Sequence, residues 1–292
     1  MWPAEVVAQE RSYLFAIAYR LLGSASDADD AVQQAFLQSR DAADVRSARA
    51  FLTTVVTRIC LDELGSARRR RLSYVGPWLP EPVLTGEPPA DPIESAESLS
   101  TAFLLLLETL SPLERAVWVL REAFDRDTDE IAQALDKKED AVRQLLSRAR
   151  DKIASGKRRR AAPPDAQQSL AIAFFSAAQT GDLEALVSML RADVVLTSDH
   201  GGKAKAIQKP LSGADHVARY FIGMAQKGGR SGVAPRMVWL NGGLGLLVYE
   251  EGKLTTSMSF DIDLGQDGAA GIARVHVIRN PDKLARLERA AG

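Results

Sequence analysis

The sequence predicts a multidomain chain: two all-α helical blocks followed by an α+β domain. Three observations carry that prediction. Apolar residues recur at helical spacing to about residue 72 and again from about residue 99. An acidic, proline-rich interval separates the two stretches. Beyond about residue 235, short alternating segments lie between glycine-rich turns, as in an antiparallel meander. The expected divisions of the 292 residues are 1–72, 73–98, 99–160 and 161–292, a length that accommodates two or three separate cores.

In the first block, "DADDAVQQAFLQSR" sets Ala28, Ala31, Val32, Ala35 and Phe36 on one stripe of a helix. Asp29, Asp30, Gln33 and Gln34 fall on the other side. "ARAFLTTVVTRICLDELGSARRRR" continues as a helix with Phe51, Leu52, Val55, Val56, Ile59 and Cys60 inward, ending in Arg68, Arg69, Arg70 and Arg71. The interval after it holds Glu81, Glu87, Asp91, Glu94 and Glu97, and no lysine or arginine. Its opening, "YVGPWLPEP", frames Trp78 with prolines, a stiff apolar surface where a slack linker would carry small polar residues.

The second block contains "DTDEIAQAL", with Asp127 at the N-cap and Glu130 three residues on. A break at "DKK" precedes "EDAVRQLLSRARDKI". Two short helices with a tight turn make a helix-turn-helix candidate, although the frequent turn glycine is absent. In the last part, "QSLAIAFFSAAQTG", "DLEALVSML" and "ADHVARYFIGMA" read as helices. "DVVLTSD", "RMVWLNG", "LGLLVYEEG", "KLTTSMSFDIDLG" and "GIARVHVIRN" read as strands.

Composition narrows the function. With 46% apolar and 26% charged residues the chain is an ordinary globular one, and its formal net charge of −1 gives no chain-wide basic field. Cys60 is the only cysteine, which rules out an internal disulfide and suits a reducing cytoplasm. Apolar runs fall well short of the roughly 20 residues of a membrane span, and Glu5, Glu10 and Arg11 do not suit a signal peptide. His200, His216 and His276 show no metal-ligand spacing, no cofactor motif is present, and "GGKAKA" lacks the features of a phosphate loop. Asp261 and Asp263 would share one side of a strand, lining a pocket or, more commonly, meeting solvent.

The basic features point to nucleic acid. On the second helix of the helix-turn-helix, Arg143, Gln144, Ser147 and Arg148 form one exposed set suited to base edges and phosphates, with Lys137 and Lys138 just before it. A solvated charged face is the alternative. For Arg68 to Arg71 the alternative is a basic helix end that suits the helix dipole.

Taken together, "DADDAVQQAFL", "VRSARAFLTTVVTRICLDELGSARRRR" and "LSPLERAVWVLREAFDRDTDEIAQALDKKEDAVRQLLSRARDKI" resemble the extracytoplasmic-function group of bacterial RNA polymerase sigma factors. The match is to sigma regions 2 and 4. "YVGPWLPEP", "DHGGK" and "NPDKL" resemble three motifs of the subgroup with a fused C-terminal SnoaL-like, cone-shaped domain. Against those motifs, His200 replaces a glycine and Gly65 a basic residue.

The resemblance implies a sigma factor, not an enzyme, that binds core RNA polymerase and recognises minus-ten and minus-thirty-five promoter elements. It assigns polymerase binding to Asp29, Asp30, Gln33 and Phe36, with the β′ clamp helices and the β flap as partners. DNA binding falls to Arg58, Asp62, Arg68, Arg69, Arg70, Arg71, Lys137, Lys138, Arg143, Gln144, Ser147 and Arg148. Regulation in cis falls to Trp78, Leu79, Pro80, Glu81 and Pro82, to Asp199, Gly201, Gly202 and Lys203, and to Asn280, Pro281, Asp282, Lys283 and Leu284. The expectation is that the linker seats Trp78 and Leu79 against the tail, with an unknown small ligand of the tail left open as a further partner. Rival readings are an enzyme with Asp199, His200 or Asp261 as acid–base, and a repressor that binds DNA unaided.

Overall fold

The computed structural model describes all residues except 1, 43–44, 87–98, 156–161, 229–231, 266 and 292, and only the backbone of 67–72, 227–228 and 291. The chain forms two compact units: Met1–Ser73 with Phe103–Arg158, and Tyr74–Ala102 with Arg159–Gly292. The acidic residues Glu87, Asp91, Glu94 and Glu97 lie outside the described residues.

The first unit opens with α1 (Ala4–Leu22), α2 (Ala25–Gln38) and α3 (Ala48–Leu72). Gly23 ends α1 in the left-handed region at φ 66°, and Ser24 caps α2 by accepting from the Asp27 N–H at 3.2 Å. That pairing of αL glycine and serine cap turns the chain within two residues. Ala28, Ala31, Val32 and Ala35 are buried as their spacing predicts, while Phe36 is only half-buried. On α3 the buried row is Leu52, Val56, Cys60 and Leu64, joined by Thr53 and Thr57. Phe51, Val55 and Ile59, expected inside, are half-buried. The row is rotated because α3 has neighbours on two sides: α1 and α2, and the helices of the second block. Burial pushes the Cys60 thiol pKa upward, so it is an inert core group.

The second block contains α4 (Thr101–Leu107), α5 (Pro112–Trp118) running into a π-helical turn (Val119–Ala123), α6 (Thr128–Leu135) and α7 (Glu139–Ser155). The turn between α6 and α7 lacks glycine, and Asp136 takes its place at φ 51°, a conformation that aspartate tolerates better than most residues. Glu130 accepts from the Asp127 N–H at 3.2 Å, as the N-cap spacing predicts.

Glu114, at the start of α5, is buried. Its carboxylate accepts from the Ser111 N–H at 2.8 Å and from Lys152 of α7 at 2.7 Å. Burial alone would raise its pKa, but these donors outweigh it and hold the group at about 2, against an ordinary 4.5. The folded value is depressed, so the stabilisation is full above the ordinary value and lost as pH falls toward 2. Glu114→Gln is therefore expected to cost about 2 kcal/mol at pH 7 and almost nothing near pH 2. Urea melts at the two pH values check this, and a cost independent of pH would contradict it.

The two helical blocks pack together within this unit, α3 lying against α5 and α6. Arg115 of α5 is 3% exposed and donates to the Leu21 carbonyl and to Glu108, each at 2.7 Å. Burial draws its pKa down to about 10, so it remains charged at neutral pH.

The second unit is α+β. Helices α8 (Pro164–Thr180), α9 (Leu183–Met189) and α10 (Ala214–Gly228) accompany strands β1 (Leu190–Asp199), β2 (Leu211–Ser212), β3 (Val233–Leu240), β4 (Gly243–Glu250), β5 (Lys253–Leu264) and β6 (Ala270–Ile278). Helix α11 (Pro281–Ala291) ends the chain and buries Leu284 and Leu287. The sheet order is β2-β1-β6-β5-β4-β3. The antiparallel meander holds from β3 to β6, but β1 pairs with β6 in parallel. Strand β1, which precedes α10, joins the meander in parallel because the α10 crossover and the meander return the chain beside it in the same direction. Between helices and sheet, Phe174 packs edge-to-face with Phe221 and Phe260 at 4.8 and 5.7 Å, and Phe175 with Phe260 at 5.3 Å.

Asp261 is not a solvated strand acid. Its side chain is buried and lies 2.8 Å from His276 Nε2, on the neighbouring strand.

Candidate DNA-reading faces and linker dock

On α7 the buried row is Val142, Leu146, Ala149 and Ile153. Arg143, Gln144, Ser147 and Arg148 are exposed on the other side, and Lys137 and Lys138 are exposed in the preceding turn. Arg143 is held by Glu139 and Asp140 of its own helix, both at 3.0 Å, so a base contact must draw it away from two acids. On α3, Asp62 is exposed and the helical backbone runs through Arg68 to Arg71, whose side chains lie outside the described residues. Arg58 points elsewhere. It donates to the Ala134 carbonyl at 2.9 Å and the Gln133 carbonyl at 3.3 Å, at the end of α6. One helix's candidate DNA contact is thus occupied by the other block.

On α2, Asp30 and Gln33 are exposed, Phe36 is half-buried, and Asp29 meets Arg11 at 3.2 Å. Leu37, unremarked in the sequence, is 60% exposed. With Asp30, Gln33 and Gln34 it follows the i, i+3, i+4, i+7 spacing of one helix face.

The third group converges on one carboxylate. Asp199, at the end of β1, is fully buried. It accepts from the Tyr74 hydroxyl at 2.5 Å, the Leu79 N–H at 2.8 Å and the Lys283 ammonium at 2.6 Å. The same ammonium donates to the Leu79 carbonyl and stands 4.4 Å over the Trp78 ring. Asn280 donates to the Tyr74 oxygen at 2.8 Å, and Lys203 pairs with Asp282. Burial, then the adjacent Asp199 carboxylate, raises the Tyr74 pKa, so the phenol stays a donor. Leu79 and Glu81 are buried, as are Pro80 and Pro82. The "WLPEP", "DHGGK" and "NPDKL" segments therefore meet at one place, although 120 residues separate Leu79 from Asp199 and 84 separate Asp199 from Lys283.

The backbone is shaped for this approach. Gly201 has φ 55°, and a Cβ there would lie 2.5 Å from Asn280 Nδ2 and 3.0 Å from the Tyr74 oxygen. Gly76 has φ 83°, and a Cβ would lie 2.6 Å from His200 Nε2. Both positions require glycine for φ and for room. His200 itself avoids positive φ, which Gly201 and Gly202 adopt beside it, so replacing the glycine of the motif causes no backbone strain. Tyr74 and Gly76 were not singled out in the sequence, having no partner visible within their own segment.

Among the described residues no helix is long and apolar enough to cross a membrane. A family model for Sigma-70 region 2 matches residues 6–70, and one for Sigma-70, region 4, matches residues 100–153. The ECF RNA polymerase sigma factor SigJ of Mycobacterium tuberculosis is 39% identical over 242 residues, 80% of this chain and 77% of that protein.

The chain belongs to the ECF RNA polymerase sigma factors.

The probable ECF RNA polymerase sigma factor SigI of the same species is 32% identical over 185 residues, 62% of this chain and 64% of that one. The crystal structure of M. tuberculosis SigJ superposes with a TM-score of 0.75 at 32% identity, over 96% of this sigma factor and 98% of that chain. As a sigma factor the protein recognises promoter DNA and serves RNA polymerase in initiation. The helix-turn-helix of α6 and α7 lies in its region 4, and α2 and α3 lie in its region 2.

Proposed function

We propose that the C-terminal domain regulates this sigma factor in cis by holding the linker between regions 2 and 4. The carrying observation is the convergence of Tyr74, Leu79 and Lys283 on the buried Asp199. In this reading the face of Asp29, Asp30, Gln33 and Phe36, extended by Leu37, docks on the β′ clamp helices, and region 4 meets the β flap. Arg143, Gln144, Ser147 and Arg148, with Lys137 and Lys138, read the minus-thirty-five element. Arg58, Asp62 and Arg68 to Arg71 serve the minus-ten element. The protein works in the cytoplasm beside the polymerase.

The two elements lie about 25 base pairs apart, or about 85 Å at about 3.4 Å per pair. A compact unit of about 130 residues has a radius of gyration near 14 Å. Regions 2 and 4, packed together as they are, are too close to read both elements at once. The packed form is a resting form, and the polymerase draws the regions apart. The same argument explains how Arg58 is released for DNA.

A regulatory tail, in preference to a catalytic one, is supported by two observations. Among the described residues the three donors to the Asp199 carboxylate belong to the dock, and four phenylalanine rings occupy the space between helices and sheet. The decisive experiment is transcription in vitro with core polymerase and this protein as the only sigma. Lys283→Met, which loses the ammonium bridging Asp199, Leu79 and Trp78, is expected to raise promoter output several-fold with affinity for core undiminished. Unchanged output would remove the dock from regulation.

A further inference from the structure

A second fastening of the linker lies away from Asp199, at the tip of the β3–β4 hairpin. Strands β3 and β4 are joined by Asn241 and Gly242, with Leu240 paired to Gly243. Their φ values are 51° and 76°, as a two-residue type I′ turn requires, and Asn-Gly is the sequence that suits it. Turn chemistry alone explains an asparagine here, but not its burial. A hairpin tip normally faces water, yet Asn241 is 2% exposed.

What buries it is the linker, at two points. Asn241 Oδ1 accepts from the Val83 N–H at 3.1 Å, and Asn241 Nδ2 donates to the Leu99 carbonyl at 3.0 Å. The orientation of the amide is unambiguous, because an N–H only donates and a carbonyl only accepts. Around it the Asn241 N–H donates to the Val83 carbonyl at 3.0 Å, the Thr85 N–H to the Trp239 carbonyl at 2.9 Å, and the Gly242 N–H to Thr85 Oγ1 at 3.1 Å. Thr101 Oγ1 lies 3.3 Å from Ser259 Oγ, so the chain remains on this domain just past Leu99.

We infer that Asn241 is a clamp that sets the working length of the tether between regions 2 and 4. One side chain holds Val83 and Leu99 together, so the shortest path from one region to the other runs across the Asn241 amide and not along the chain between those two residues. From Leu72 to Phe103 the open chain has 31 peptide steps, 103 − 72, and reaches about 105 Å at about 3.4 Å per residue. With the clamp closed, the steps from 72 to 83 and from 99 to 103 remain, 11 + 4 = 15, or about 50 Å. Halving a tether changes the effective concentration of one site at the other by about threefold. A longer tether also favours sites that a short one strains to span. Asn241 is thereby a positioning residue for promoter spacing. This rests on the reading that the C-terminal domain holds the linker, but it uses contacts separate from those of Asp199.

The test is transcription in vitro by core polymerase with the full-length chain, on promoters whose spacer is lengthened stepwise from the optimum. Asn241→Asp keeps the acceptor for Val83 and suits the turn, but sets a carboxylate against the Leu99 carbonyl and opens that end alone. Its output on long spacers, relative to the optimum, is expected to rise about threefold or more. Hydrogen exchange should quicken at Ser100–Phe103 and stay unchanged at Val83. Asn241→Gly, free to adopt the same φ, should release Leu99 and leave the Val83 end held by the backbone bonds of residues 241 and 85 alone.

Insertion of six Gly/Ser residues after Gly86 should leave the spacer profile of the otherwise unaltered chain untouched, and broaden it only with Asn241→Asp. A spacer profile unmoved by Asn241→Asp despite faster exchange overturns the clamp. So does exchange that does not change, or an insertion that acts with Asn241 intact. If Lys283→Met is silent while Asn241→Asp shifts the profile, the dock reading fails and the clamp stands. The opposite pattern removes the clamp and keeps the dock.

Discussion

Asp199→Ala is expected to detach the linker's first turn from the C-terminal domain at a cost of about 3–5 kcal/mol to that unit. The magnitude follows from what the carboxylate leaves behind. Lys283, with its side chain 12% exposed, would lose its counter-charge while still facing the Leu79 carbonyl. The Tyr74 hydroxyl and Leu79 N–H would lose their acceptor. Breaking one side of a buried pair is costly because the remaining charge stays desolvated. Asp199→Asn, equal in shape but uncharged, should fall between the wild type and alanine. The Leu79 amide reports the result, since its hydrogen exchange should rise toward that of an open chain. Protection at the wild-type level in the alanine variant would show that the carboxylate does not hold the dock.

The second large effect is expected at Arg115, and it has opposite signs in two assays. Arg115→Met removes the donor that ties the Leu21 carbonyl of α1 to Glu108, and so joins region 2 to region 4. Methionine fills part of the volume, but the Leu21 carbonyl and the Glu108 carboxylate lose their donor. A loss of about 3 kcal/mol in the free protein is expected by thermal or urea melting. On the proposal that polymerase separates the two regions, part of that cost is already met before binding, and affinity for core should rise. A variant that melts early and binds core more weakly would refute the resting-form model.

The helices were legible in the sequence because their signals are local. Ala28, Ala31, Val32 and Ala35 carry the stripe of α2, and Asp127 with Glu130 mark the start of α6 within four residues. The exposed set on α7 follows from the same periodicity. Features built from distant segments were not legible. The parallel pairing of β1 with β6 joins Leu196 to Val275, and no pattern in either strand names its neighbour. The two-residue β2 is too short for alternation to register. Asn241 reads as an ordinary hairpin asparagine until Val83 and Leu99, 158 and 142 residues away, are placed on its amide. Arg115 and Arg58 look like surface charges of amphipathic helices, and only the packing of one block on the other gives them backbone carbonyls to hold. That the three linker and tail motifs share one surface was an expectation of the sequence, but the carboxylate of Asp199 as the point on which Tyr74, Leu79 and Lys283 converge required the fold.

Chain order gives the Lys283 contact a consequence in time. Leu79 and Lys283 are 204 residues apart, and synthesis proceeds at about 5–20 residues per second. The linker therefore exists for about 10–40 s before the lysine that fastens it has been made. During that interval regions 2 and 4 are completed on the ribosome without the restraint. On the proposal that this contact regulates the chain, each newly made molecule passes once through a period without it whose duration is set by translation speed. A separate inhibitor already present in the cell would leave no such gap.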